Sequence, residues 1–465
     1  MSTRRVKSRP NVLFVFADQW RAQSAGYAGN PDVHTPHIDG LAKRSINCVN
    51  AISGCPVCSP YRASLLTGQY PLTHGVFIND TSLDPDAVTV GKCFRNAGYA
   101  TAYIGKWHVD GHGRTAFIPG ERRQGFDYWK VCECTHDYNH SLYYGDTDEQ
   151  RYWRGYDAAA QTDDAIAWLG TRRGVSDPFC LFLSWGPPHS PYGSAPERFR
   201  APYDPASLML PPNVPPPHTA DARTSLAGYY AHISALDSCM GALLASLRDL
   251  GFEENTLVVL TSDHGDMLGA FGTWDKQQPH EESVRVPFLL RWPGMPGWSP
   301  RIVHSLIDSP DIMPTLLSLC DIRVPDTVEG RSLAGVLEGT EADDIDEALL
   351  LCPMPFGNWH RGVGGKEYRG VRTMRYTYTR DLRGPWLLYD NIADPWHQHN
   401  LCGTSEHAEA QSNLDSALRR LLVKRGDQFL AGEEHCRAWG YVTDERGIVV
   451  ERMQRDGDGG SIPRT

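Results

Sequence analysis

The sequence predicts an α/β protein: a large, doubly wound, mostly parallel sheet, followed by a smaller antiparallel sheet that carries one helix. Three observations support this class. Continuous apolar runs recur along the first part of the chain, each ending in polar residues, as central parallel strands do when both faces are covered. Amphipathic stretches of helical length lie between those runs. After about residue 345 the texture changes to short strand-like pieces separated by turn residues.

The first run, Asn11 to Ala17, ends in Asp18-Gln19. Ala100 to Ile104 leads into GKWH, Phe179 to Trp185 into GPPHSP, and Thr256 to Thr261 into SDHGD. Ligands of open α/β sheets bind at the carboxyl edge, so these polar strand ends are where a site is expected. Asp157 to Gly170 and Ser225 to Leu250 read as connecting helices. In the later part, EALLLCP, YRGVRTMRYTYTRD and WLLYDN read as strands, and Ser405 to Gly426 as a helix. The expected division is residues 1–345 for a catalytic domain and 346–465 for a small antiparallel subdomain and tail. The polar, Gly-rich end RDGDGGSIPRT is expected to be mobile.

Composition narrows the function classes. With 45 basic against 56 acidic residues the net charge is -11, which disfavours nucleic acid as a partner but leaves the sign of any one pocket open. The 13 Trp, 20 Tyr and 14 Phe fill a packed interior, while 33 Pro and 44 Gly shape long loops, where sites tend to sit. No run approaches the ~20 apolar residues of a membrane span, and the N-terminal apolar run is too short for a secretory core. The chain as written therefore reads as unexported and cytoplasmic, or as periplasmic or secreted if a leader has been removed. Twelve scattered cysteines form no disulfide pattern, so reduced thiols are expected.

Strand ends meeting at one sheet edge would gather Asp18, Gln19, Asp263 and His264, a hard, oxygen-rich set that suits Ca²⁺ or Mg²⁺ better than zinc. Taken singly, Asp18 is as readily a helix cap and Asp263-His264 a surface turn. The stretch CPVCSPYRASLLTG at residues 55–68 holds a second candidate. Its C-x-x-C spacing admits a redox dithiol or half a zinc site. No second Cys/His pair at suitable spacing completes a zinc site, and the CEC at residues 132–134 lacks partners too.

Read forward from Cys58, the same stretch contains Cys58, Pro60, Arg62, Thr67 and Gly68, and it resembles the C-x-P-x-R-x-x-x-x-T-G signature of the sulfatases. FADQWR, GKWH, PPHSP and TSDHGDMLGAFGTWDKQ accompany it in family order, over roughly residues 10 to 340. The resemblance implies the alkaline phosphatase-like fold, hydrolysis of sulfate esters, and enzymatic conversion of Cys58 to formylglycine (3-oxoalanine) by a maturation enzyme. It also implies a divalent cation, Ca²⁺ with Mg²⁺ or Mn²⁺ as alternatives, on Asp18, Gln19, Cys58, Asp263 and His264. Arg62 would anchor the aldehyde hydrate, Lys106 and Lys276 would hold sulfate oxygens, and His108 would deprotonate the second hydroxyl. His189 would protonate the leaving oxygen or help to bind sulfate. Cys55 has no part in this chemistry and is expected to be a core residue.

The chemistry is coherent on its own terms. Sulfate ester hydrolysis needs a nucleophile, charge stabilisation for the transferring group, and an acid for the departing oxygen. An aldehyde hydrate offers one hydroxyl to attack sulfur and a second to expel sulfate, which a plain thiol does not. Two departures stand out: Gln19, where many members carry Asp, and His264, where many carry an amide. Gln19-Trp20-Arg21 also resembles the phosphonate and phosphate ester hydrolases that share the fold and the formylglycine, so that class is the alternative. A catalytically silent, sulfated-glycan-binding relative is the other.

Substrate residues are sought in two polar, aromatic segments, ECTHDYNHSLYYGD and FGNWHRGVGG, with His136, His140, His360 and Arg361 as candidates. Such a rim suits a sulfated saccharide better than an aryl or steroid sulfate. Oligomeric state is open.

Overall fold

Strand β1 (Asn11–Asp18) is buried along its whole length, which is why NVLFVFAD reads as a continuous apolar run and not as an alternation. In the computed structural model, which describes residues 9–452, seven further strands join it. They are β2 (Ile46–Cys48), β3 (Ala100–Lys106), β4 (Tyr128–Cys132), β5 (Phe179–Pro188), β6 (Thr256–Ser262), β7 (Phe288–Arg291) and β8 (Arg301–Val303). Their order across the sheet is β8-β2-β7-β6-β1-β5-β3-β4. Every neighbouring pair is parallel except the two made by β7.

Alternate residues of β1 enter opposite apolar layers, as the period of two requires. Val12, Phe14 and Phe16 pack with residues of helices α1 (Cys58–Thr67) and α4 (Ser309–Leu319), among them Tyr61, Leu65, Ile312 and Leu316. Leu13, Val15 and Ala17 pack with α2 (Asp157–Thr171) and α3 (Thr219–Asp249), through Ala165, Leu169, Tyr229 and Leu236. Helices on both faces make the sheet doubly wound, as expected. Helix α3 begins about a turn and a half before the expected Ser225, continuing from a short 3₁₀ turn at Pro216–His218.

The later strands β9 (Ala348–Cys352), β10 (Tyr368–Arg372), β11 (Tyr376–Asp381) and β12 (Gly384–Asp390) form an antiparallel meander in that order. Helix α5 (Ala408–Lys424) covers it through Leu414 and Leu418, against Val371, Tyr378 and Leu388. Cys55, Val57 and Tyr70 belong to the same apolar cluster as Leu349 and Leu351, and Val284 and Leu306 pack with Ala348 and Leu350. The small sheet therefore shares its core with the loop that carries Cys58. Helix α6 (Gly432–Trp439) and the hairpin β13 (Tyr441–Thr443) and β14 (Val449–Arg452) bring the chain back to the large part, where the Tyr441 hydroxyl donates to the Gly75 carbonyl at 3.0 Å. The RDGDGGSIPRT end lies outside the described residues. All twelve cysteines are free thiols, and no helix among the described residues is long and apolar enough to cross a membrane.

Candidate active site

Strands β6, β1, β5 and β3 lie side by side in the sheet, and their carboxyl ends deliver Asp263-His264, Asp18-Gln19, His189, and Lys106 with His108. Cys58 is the first residue of α1, whose ten residues are all buried. A helix N-terminus favours negative charge at that position, and the Ser59 N–H left without a partner in the first turn donates to Asn79 Oδ1 at 3.0 Å.

Arg62 lies one turn along the same face of α1. Its Nε and Nη2 donate to Asp263 Oδ2 at 3.2 and 3.0 Å, and Nη2 also to Asp18 Oδ2 at 3.1 Å. Nη1 donates to the Lys106 carbonyl and to Ser184 Oγ, both at 2.8 Å. All five guanidinium N–H groups are thereby engaged, and none goes to Cys58: Arg62 braces the two carboxylates where the sequence suggested an anchor for the hydrate.

Asp18, Cys58, Asp263 and His264 offer ligand atoms that all lie within 4.8 Å of one another. His264 donates from Nδ1 to the Gly265 carbonyl at 2.9 Å, which turns Nε2 to Cys58 Sγ at 3.2 Å; burial pulls the imidazole down, but Asp263 and Cys58 outweigh it and hold it above its ordinary value. Burial and the Asp18 charge push the Asp263 carboxyl up to about 6. Burial opposes ionisation of Asp18 as well, but Lys106 at 2.5 Å, with Arg62, holds it well below the carboxylate range. Two buried carboxylates with an imidazole nitrogen that can give up its proton fit a divalent cation, and oxygen in place of sulfur at residue 58 would make the set harder. Gln19, expected as a ligand, has its amide engaged elsewhere: Oε1 accepts from Lys276 and Nε2 donates to Asp266 Oδ2, both at 2.7 Å. An amide that offers both a donor and an acceptor bridges Lys276 to Asp266, which a carboxylate at residue 19 could not do.

Burial and Asp18 push the Cys58 thiol up, yet Lys106, Lys276 and His264 outweigh them and hold it well below the usual range. Lys106 Nζ is 3.8 Å from the sulfur. Lys276 Nζ donates to His189 Nε2 at 2.8 Å. Gln19, His108, Asp275 and Gln277 all have positive φ, at 70°, 58°, 65° and 76°. Such backbone strain in non-glycine residues gathers at functional sites.

Above Cys58 opens a cleft of about 360 Å³, bordered by Lys106, His108, His189 and Lys276 from the strand ends and their loops. A larger depression of about 540 Å³ around Asp39 and Arg301 holds none of these residues. Of the expected substrate residues, His136 borders the cleft, its ring stacked on His189 at 4.5 Å between centroids. The other three do not. His140 stacks on Tyr152 at 4.2 Å, and His360 accepts from the Gly362 N–H at 3.1 Å. Arg361 is drawn to Glu367 and Glu433, two carboxylates that a cation on a turning loop satisfies more readily than the cleft does. Within FGNWHRGVGG it is Phe356, Asn358 and Trp359 that border the cleft. Asn79, Arg114, Cys134, Asp275 and Arg446 border it as well. Arg446 was findable as the tip of a hairpin, since TDERG between YVT and IVV is a turn between strand-like runs, and Cys134 lies in the ECTHDYNHSLYYGD segment; no local signal marked Arg114.

The sulfatase family model matches residues 10–322, and the model for the C-terminal part of N-sulphoglucosamine sulphohydrolase matches residues 269–424. An ulvan-active sulfatase of Formosa agariphila is 44% identical over 438 residues, 94% of this chain and 85% of that protein. An endo-4-O-sulfatase of Bacteroides thetaiotaomicron is 33% identical, over 90% of this chain and 93% of its own. A solved structure from the same organism, described with the metabolism of multiple glycosaminoglycans, superposes with a TM-score of 0.82 at 30% identity, covering 90% and 97% of the two chains. With the alkaline phosphatase-like fold, the matched motifs and these likenesses in agreement, the chain belongs to the sulfatase family and is a sulfuric ester hydrolase.

Proposed function

We propose that the protein removes O-sulfate groups from an anionic carbohydrate, using the hydrate of a formylglycine made from Cys58 by a separate maturation enzyme. The observation that carries this reading is the charge of the cleft. In a chain of net charge -11, the residues bordering it include Lys106, Lys276, Arg114 and Arg446 against one carboxylate, Asp275, with Trp359 and His136 as flat rings. Cations set above a nucleophile receive a sulfate ester and its anionic carrier, and rings stack on sugar faces. The names of the ulvan-active and endo-4-O-sulfatase relatives point to the same substrate class.

In this reading one hydroxyl of the hydrate attacks sulfur while the bond from sulfur to the sugar oxygen breaks. Lys106 and Lys276 hold sulfate oxygens as charge builds on them. The departing sugar oxygen takes a proton from the Lys276–His189 pair, which shares one at 2.8 Å. His108 then removes the proton of the second hydroxyl, the carbonyl re-forms, sulfate leaves, and water restores the hydrate. Asp18, Asp263 and His264 would hold the cation with residue 58; once bound it would supply positive charge to a sulfate oxygen and acidify the hydrate.

The test is a panel of sulfated oligosaccharides, aryl sulfates and phosphonate esters assayed with Ca²⁺, Mg²⁺ and Mn²⁺. Highest kcat/KM on a sulfated oligosaccharide supports the reading, and preference for a simple aryl sulfate overturns the carbohydrate assignment. Gln19-Trp20-Arg21 favour a second reading, phosphonate or phosphate ester hydrolysis by the same groups, and preferential turnover of the phosphonate would establish it.

A further inference from the structure

The turn Asn79-Asp80 touches both halves of the reacting apparatus. Asn79 accepts from the N–H of Ser59, next to the nucleophile position. Asp80, at φ 62°, faces Nε2 of His108 through Oδ1 at 3.2 Å. Arg114, which borders the cleft beside His108, clamps the same carboxylate through Nε at 3.0 Å and Nη2 at 2.8 Å. A carboxylate only accepts, so Nε2 must carry the hydrogen. The other ring nitrogen, Nδ1, is buried and has no hydrogen-bond partner among the described residues.

We infer that Asp80 is a positioning residue for His108: in the neutral ring it selects the Nε2–H tautomer and leaves Nδ1 as the proton acceptor, and it is itself held in place by Arg114. This rests on the role proposed above for His108. The carboxylate therefore decides which ring nitrogen carries the hydrogen when the imidazole is neutral. The charged and titratable groups around the ring are Asp80 and Arg114, Lys106 from β3, and Glu133 and Cys134 after β4. Burial pulls the imidazole down, but Cys134 and Asp80 outweigh it and the neighbouring Lys106, so it sits well above its ordinary value. Burial pushes Glu133 up to about 7.

Two measurements test the inference. In ¹⁵N-histidine-labelled full-length protein, with the His108 signal assigned by its loss in His108→Gln and read at a pH where the ring is neutral, the ring should show the Nε2–H tautomer in the wild type and lose that preference in Asp80→Asn. A wild-type Nδ1–H tautomer would overturn the inference whatever the enzyme's substrate, so its failure is distinguishable from that of the sulfatase mechanism. In kinetics, Asp80→Asn should lower kcat by roughly 10–100-fold, as loss of a supporting carboxylate does at other sites, with KM within about twofold. The acid limb of kcat should move to lower pH, because a base without its carboxylate loses its proton more easily. Asp80→Glu should restore the limb and most of kcat. An unchanged limb in Asp80→Asn, or equal losses in Asn and Glu variants with a parallel fall in thermal midpoint, would reduce Asp80 to a structural residue.

Discussion

Nζ of Lys276 donates to Nε2 of His189 at 2.8 Å, while Nδ1 of His189 donates to the Ser190 carbonyl at 2.9 Å. Both ring nitrogens are thereby assigned, and His189 is held neutral. Burial, and then the Lys276 cation, keep it well below the ordinary imidazole value.

Lys276→Met removes the cation and one donor to the sulfate. It is expected to lower kcat by roughly 10²–10³-fold, the usual cost of one transition-state donor. With the cation gone, His189 should rise part of the way toward its ordinary value, burial still holding it down, which ring NMR of the wild type and the variant would show.

Cys58→Ala is expected to abolish turnover, whereas Cys55→Ala should keep most of it. Cys55 sits among Leu349, Leu351 and Val371, where burial pushes its thiol up and away from reactivity. Removing its sulfur should cost about 1–2 kcal/mol of stability as a small cavity. Peptide mass spectrometry after co-expression with a maturation enzyme should show conversion at Cys58 and an intact thiol at Cys55. Full turnover by wholly unconverted protein would sink the formylglycine mechanism.

Arg62→Ala leaves Asp18 and Asp263 buried without their brace. The expected destabilisation is about 3–5 kcal/mol, read from the denaturant midpoint without added cation. Saturating Ca²⁺ should recover part of it, because a bound cation supplies the missing positive charge. No recovery would argue against a cation between these carboxylates.

Asp263 lies above the ordinary carboxylate value, at about 6. Its proton therefore stabilises the metal-free protein at acid pH, and this contribution is lost as pH rises through about 6. Cation binding runs the other way: it needs both carboxylates ionised, so affinity should rise with pH across the same window. Calorimetry with Ca²⁺ in buffers of different ionisation enthalpy should show proton release at about pH 5.5 and little at about pH 8. Equal release at both would remove Asp263 from the ligand set.

Arg446 reaches the cleft from the tip of the β13–β14 hairpin and donates to Asn358 Oδ1 at 3.3 Å, on the wall loop between β9 and β10. Arg446→Ala is expected to raise KM for a sulfated oligosaccharide about 5–10-fold, in line with loss of one charged contact, and to leave kcat on a small aryl sulfate within about twofold. An equal effect on both substrates would place Arg446 outside substrate recognition.

The sheet, its two helix layers and the polar strand ends were legible because each is local: a buried parallel strand is an apolar run, and the residue after it faces the carboxyl edge. The C-x-P-x-R spacing likewise fixes what lies on one face of α1. Helix ends were less legible, and α3 began before its expected start because a 3₁₀ turn after the prolines leads directly into it.

The sequence by itself determined which chemical groups stand at the nucleophile, at the strand ends and along the first turns of α1, since chain connectivity places them there. Only the tertiary structure decided which atoms those groups meet. It turned the Gln19 amide to Lys276 and Asp266, gave every N–H of Arg62 to other partners, drew Arg361 away to Glu367 and Glu433, and brought Arg446 to the cleft. Each of those outcomes is a competition among partners far apart in the chain, settled by packing and by the need of buried charges for counter-charges, which no local spacing encodes.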